Sequence, residues 1–183
     1  MVTRLTATLI TVATVVLFVG CGGGSSKHGT AASVQVGPSP IVAKDGEFRT
    51  VIPRGYANYP SVAQYWATRP QQNGLLASVL VVRQAVSQKI GISTFARSMV
   101  RAIRPITQSL SHLQPVSVDA EPGYAVEYVT TGTGTVQGKL SHVRQVLVKH
   151  GQWVFFIRDL ALPAEYAATL GALDEVLRNW HWQ

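Results

Sequence analysis

The sequence predicts an α+β fold, in which a mostly antiparallel sheet is accompanied by one long central helix and one C-terminal helix. Three observations predict it. β-Branched and aromatic residues concentrate in short runs bounded by Pro, Gly and Asn. Apolar residues recur at spacings of three and four in two segments, from Phe95 to Leu113 and from Tyr166 to Trp180. Between those segments the β-favouring runs follow one another across short connections, which join strands antiparallel.

The chain opens with Arg4 and a charge-free apolar stretch, residues 5–19, the pattern of a secretory leader. Cys21 is the only cysteine; Leu17-Phe18-Val19-Gly20 precede it and Gly-Gly-Gly-Ser-Ser follows. This arrangement resembles the lipobox of bacterial lipoproteins, with the departure that leucine lies one position further from the cysteine and Phe18 takes its place. The resemblance implies a diacylglyceryl thioether on Cys21, cleavage before it, and acylation of the new amino terminus. Residues 1–20 are then a lipoprotein signal peptide, and the mature chain is held by its lipid on the extracytoplasmic face of the cell membrane. An ordinary signal peptide and an uncleaved anchor are the other readings; the apolar stretch is short beside the about 20 residues that a spanning helix needs. Residues 21–40 are rich in Gly, Ser, Thr, Ala and Pro and read as a flexible tether. Residues 41–183 are long enough for one domain with its own core.

Lys and Arg total 16 against 9 Asp and Glu, a formal net charge of +7. An exported chain does not ordinarily meet nucleic acid, so the charge points to anionic lipid headgroups, cell-wall polymers or acidic partner proteins. Plain solubility is the simpler reading of the same charge. With Cys21 acylated no free thiol is left for a nucleophile, a metal site or a disulfide, and packing alone stabilises the domain.

Phe48, Thr50 and Ile52 alternate with Arg49 and Val51 and predict a first strand, ended by the turn Pro53-Arg54-Gly55-Tyr56. The aromatic stretch from Tyr56 to Trp66 has no clear period and is read as loop plus one short strand. Residues 75–83 predict a central strand covered on both faces. Phe95, Met99, Ile103, Ile106, Leu110 and Leu113 predict one amphipathic helix, kinked near Arg104 because the Pro105 ring crowds the Arg101 carbonyl. Tyr124, Val126 and Tyr128 predict a further strand that dissolves into a Thr/Gly loop. Residues 136–149 and 152–158 predict a hairpin connected at His150-Gly151, its second arm deep in the sheet. Pro163 is placed in the first turn of a final helix that docks through Tyr166, Leu170, Leu173, Leu177 and Trp180.

The order strand, Pro-x-Gly-aromatic turn, further strands, long helix, antiparallel meander and terminal helix closing on Trp resembles the PsbP-like fold. That fold is an α-β-α sandwich also used by a nuclear Ran-binding factor. The resemblance is carried by residues 48–56, the helix near 93–113, the hairpin across His150-Gly151 and residues 173–182. With its leader and tether the chain is most similar to the actinobacterial LpqN/LpqT-type lipoproteins. The resemblance implies no catalytic residues and a role in binding or assembling other proteins.

A search for chemistry agrees with that implication. There is no Gly-x-Ser-x-Gly, and His28, His112, His142, His150 and His181 form no pair with metal-ligand spacing. Asp119, Glu121, Glu127 and Asp159 are read as solvent-facing or turn positions. Gly132-x-Gly134 leads into a strand instead of opening a helix, which argues against a dinucleotide site. No catalytic residue, metal ligand or cofactor is expected, and the chain is read as a non-enzyme.

Two groups of residues remain as binding candidates. Arg97, Arg101 and Arg104, with Gln108, fall opposite the apolar stripe of the central helix. They form either an ordinary solvated face or a band that engages phosphates and carboxylates. Tyr56, Tyr59, Tyr65 and Trp66, with Arg54 and Arg69, have the composition of interface anchors, or else cap an open edge of the core. The function expected is a membrane-anchored binding or assembly factor for an envelope protein or cell-envelope component. The alternative is a carrier of a small apolar or lipidic ligand between helix and sheet.

Overall fold

A computed structural model describes residues 38–59, 63–70, 76–131 and 139–183. Along them run β1 (Ser39–Val42), β2 (Phe48–Ile52), β3 (Ala57–Asn58), β4 (Tyr65–Pro70), β5 (Leu76–Ala85), α1 (Ile92–Ile103), β6 (Thr107–Leu110) and β7 (Gln114–Val118). There follow β8 (Glu121–Thr131), β9 (Leu140–His150), β10 (Trp153–Ala161), α2 (Leu170–Arg178) and β11 (His181–Trp182). β3-β4-β5-β10-β9-β8-β6 is the order of the large sheet, β7 also pairing β8, and β1-β2-β11 is a second, small sheet. Every pairing is antiparallel.

α1 lies over β8 and β9 on one face of the large sheet, and α2 lies against β10 and β2 on the other. The sheet is therefore the middle layer. β10 sits near its centre and alternates between two cores. Phe155 and Ile157 enter the α2-side core with Phe48, Leu173, Val176 and Trp180. Val154 and Phe156 enter the α1-side core with Ala96, Met99, Val126 and Leu147. Burial on both faces explains why this arm is almost continuously apolar. The small sheet closes over the α2-side core where Phe48 stacks on Trp180, ring centroids 3.8 Å apart.

The central helix differs from the expectation. Instead of kinking at Pro105 and continuing to Leu113, it ends at Ile103, makes one 3₁₀ turn over Arg104–Ile106, and turns extended at Thr107. Proline removes the donor that would carry the helix on. At the end of the turn the Arg104 carbonyl accepts the Thr107 N–H and, at 3.1 Å, the Thr107 hydroxyl, and the Thr130 hydroxyl donates to the Ile106 carbonyl at 2.7 Å. Leu110 and Leu113 still pack on the α1-side core, but from and beside β6.

Three further boundaries move. The hairpin loop is Gly151-Gln152, one residue later than expected, since His150 pairs with Trp153; Gly151 supplies the positive φ of 56°. Pro163 lies outside the final helix, which starts at Leu170 after a 3₁₀ turn over Tyr166–Ala168; the Thr169 hydroxyl, shared between Asp159 and the Tyr166 carbonyl, gives no side-chain cap. β1 starts at Ser39, inside the span read as tether.

Candidate functional site

The aromatic group is divided by the fold. Tyr56 and Tyr65 are core residues, 1% and 3% exposed, and the Tyr65 hydroxyl donates to the Val51 carbonyl at 2.9 Å. Burial pushes both phenol pKa values up, so both stay neutral. Tyr59 and Trp66 stand at the β3–β4 edge, ring centroids 4.8 Å apart, and Tyr59 is 48% exposed. Trp66 pairs in register with Leu80, and Leu80 with Arg158, so its ring projects on the α1 face. Arg69 is exposed on β4 three residues on, projecting to the opposite face, and Arg54 is exposed in the turn before β3. The sequence therefore brought six residues together that the sheet separates: two in the core, two on each side of one edge.

The arginine row survives better. Arg97 and Arg101, four apart on α1, and Arg104, opening the 3₁₀ turn, are all exposed on the side of α1 away from the sheet. None of the three has an ion pair among the described residues, and the Arg97 guanidinium donates to the Ser93 hydroxyl at 3.2 Å. Gln108 leaves the row: it is the bulge residue of β6, where the register with β8 shifts between Thr107 and Ser109.

One titratable cluster was not foreseen. Asp159, read as solvent-facing, is 0% exposed on β10. Its Oδ2 accepts the Thr169 hydroxyl at 3.1 Å, and its Oδ1 has no partner among the described residues. Burial pushes its carboxyl up to about 7, and the Thr169 hydrogen bond and the nearby Arg144 only partly oppose this. Arg144 is engaged elsewhere, with Asp174 at 2.8 Å and Glu127 at 3.8 Å. His142 stacks on Tyr166, centroids 3.5 Å apart, and burial lowers its pKa against the pull of Glu127. The signal in the sequence was an Asp inside a run whose alternate residues are apolar on both faces. Sealed from solvent, this carboxyl acts on stability.

Two further histidines each meet one carboxylate: His150 with Glu121 at 3.3 Å, also stacked on Trp182, and His181 with Asp119 at 3.6 Å. Among the described residues no group of three His, Cys, Asp or Glu is placed to hold a metal ion. A shallow open depression of about 270 Å³ is lined by Glu47, His150, Gly151, Gln152, Trp153 and Gln183. No helix of the described residues is long and apolar enough to cross a membrane. Cys21 and Gly132-x-Gly134 lie outside the described residues.

No protein-family model matches the chain, and no curated protein matches it. Solved structures do. LpqN of Mycobacterium tuberculosis, described as involved in cell envelope biogenesis, superposes with a TM-score of 0.63 at 11% identity over 78% of this chain and 88% of that one. The cyanobacterial PsbP of Synechocystis sp. PCC 6803 gives 0.55 at 10% identity over 90% and 99%. The Ran-binding protein Mog1p of Saccharomyces cerevisiae gives 0.52 at 16% identity over 81% and 96%. At these identities the likeness is one of fold: an antiparallel sheet between helices, shared by proteins of different function.

Proposed function

We propose that the chain is an exported lipoprotein, held at the cell membrane through a thioether on Cys21, whose folded domain binds an envelope protein or cell-envelope component without catalysis. The observation that carries the reading is the joining of a leader, Cys21 and a Gly/Ser stretch to a fold shared with LpqN, a protein of cell envelope biogenesis. Arg97, Arg101 and Arg104, exposed and without an ion pair among the described residues, supply guanidinium groups for an anionic partner, and the Tyr59–Trp66 pair supplies an aromatic contact. A tether concentrates such a domain next to membrane-bound partners.

The anchor is tested by fractionating cells that carry the wild-type or Cys21→Ala chain. The wild-type chain should sediment with membranes and carry the lipid by mass spectrometry, while the variant should keep its leader and lack the lipid. A variant that is processed and equally membrane-bound removes the lipoprotein reading. Binding is tested by crosslinking and capture from membranes, comparing wild type with Tyr59→Ala/Trp66→Ala and with the triple Arg→Gln variant; identical captured sets remove both surfaces. The carrier reading draws no support from the depression beside His150, which is shallow and open where an acyl chain needs an enclosed apolar space.

A further inference from the structure

The chain has nine carboxylates, and all lie on the α2 side of the large sheet or at its rim. Asp45 and Glu47 pair with Arg83, which projects beside Phe155 into that side. Glu127 and Asp174 pair with Arg144, the register partner of Asp159. Glu121 meets His150, Asp119 accepts the Trp182 N–H, Glu175 accepts the Arg54 N–H, and Glu165 lies in the turn leading to buried Tyr166. From residue 48 to residue 118 the sequence contains no Asp or Glu at all. The α1 layer consequently carries cations only. Arg97, Arg101 and Arg104 stand on its outer face, and Lys149 and Arg158 are beneath it, already bonded to the Gln88 and Ile90 carbonyls and to Gln145.

A second feature lies at the end of this row. Ile106 is 51% exposed immediately after Arg104 and Pro105. It is held out by a closed turn, its carbonyl fixed by the Thr130 hydroxyl at 2.7 Å. A soluble polyanion would neutralise the arginines and leave this side chain in water. A bilayer surface takes both: phosphates of the headgroup layer for the guanidiniums, the acyl boundary for the isoleucine.

We infer that the outer face of α1, with Ile106 at its tip, docks on the surface of an anionic phospholipid bilayer. The inference rests on the reading that the domain works beside a membrane, but it concerns the fold and needs no lipid on Cys21. The probe is the chain from residue 21, made without its leader and hence unlipidated, sedimented with phosphatidylglycerol–phosphatidylcholine or pure phosphatidylcholine vesicles. Binding is expected to the first only, and to weaken steeply with salt. At about a fivefold contribution per cation near an anionic surface, R97Q/R101Q/R104Q should lower the partition coefficient on the order of 100-fold. K44Q/R49Q/R178Q, which removes the same charge from exposed positions on the α2 side, should leave most of the binding. Ile106→Ser should weaken binding at unchanged charge. All three residues of the row are exposed, so thermal melts should confirm that the variants fold. Equal binding to both vesicle types, or equal loss from the two triple variants, overturns the inference. So does an Ile106→Ser variant that binds like wild type while a soluble acidic protein competes fully. Any of these leaves the Cys21 anchor untouched, and loss of the anchor leaves the vesicle result untouched.

Discussion

Thr169 donates its hydroxyl to Asp159 at 3.1 Å, and this is the single hydrogen bond that the buried carboxyl receives among the described residues. Burial outweighs that bond and raises the carboxyl from 3.8 to about 7. Between those values the folded chain holds a proton that the unfolded chain releases, so stability is full below about pH 4 and declines as pH rises through about 7. The decline amounts to at most about 4 kcal/mol, from about 1.4 kcal/mol per unit. Urea midpoints measured across this interval should fall with pH in the wild type and lose that fall in Asp159→Asn, where the lowered His142 pKa leaves a small rise; a level wild-type profile contradicts the account.

Gly123 on β8 lies against β9 so closely that an added Cβ would stand 2.5 Å from the Leu147 carbonyl oxygen. Both atoms belong to paired backbones, and neither strand can yield alone. Gly123→Ala should therefore cost about 1–3 kcal/mol, as overpacking does, and lower the melting temperature by several degrees. Gly171→Ala, which meets nothing within 4 Å, is the matched control.

The connection between β7 and β8 places Asp119 and Ala120 at φ of 46° and 69°. Two successive positive values are the mark of a type I′ turn, which favours glycine at its second position. Relief of about 1–2 kcal/mol at an L-residue in this region, less about 0.5–1 kcal/mol for the freer unfolded chain, predicts a small net stabilisation for Ala120→Gly. Asp119 should stay, since its carboxylate accepts the Trp182 N–H at 2.9 Å. Equilibrium unfolding of the single variant checks the sign.

Trp180 stacks on Phe48 and meets Phe155 and Trp182 edge-on, joining α2, both sheets and β11 in one aromatic cluster. Trp180→Ala should cost about 3–5 kcal/mol, much of a typical domain's stability. Loss of the near-ultraviolet circular dichroism and a large fall in the denaturant midpoint are the expected readouts.

What could be read from the sequence divides along physical lines. The strands around Phe48, Val79, Val126 and Phe155 were legible because β-branched and aromatic runs are a local signal. The arginine row was legible because helix geometry alone aligns positions four and three apart. Residues 107–113 were misread because Leu110 and Leu113 continue a helical spacing by coincidence, while Pro105 and the pairing with β8 decide the backbone. The burial of Tyr56, Tyr65 and Asp159 is set by tertiary packing of the α2-side core, which no local pattern contains. The absence of carboxylates between residues 48 and 118 was written in the sequence, but its meaning needs the sheet that leaves the acidic residues on its other side or at its rim.

The Thr50 hydroxyl donates to the Val176 carbonyl across 126 positions, and β2 finds its partner β11 still later in the chain. A chain emerging vectorially, from a ribosome or a translocation channel, presents Phe48 long before Trp180 arrives to cover it. Until then Phe48 lacks its stacking partner and the α2-side core stays uncovered at that end. Covering of the α2-side core thus waits on the segment around Trp180, which acts as the latch of the fold.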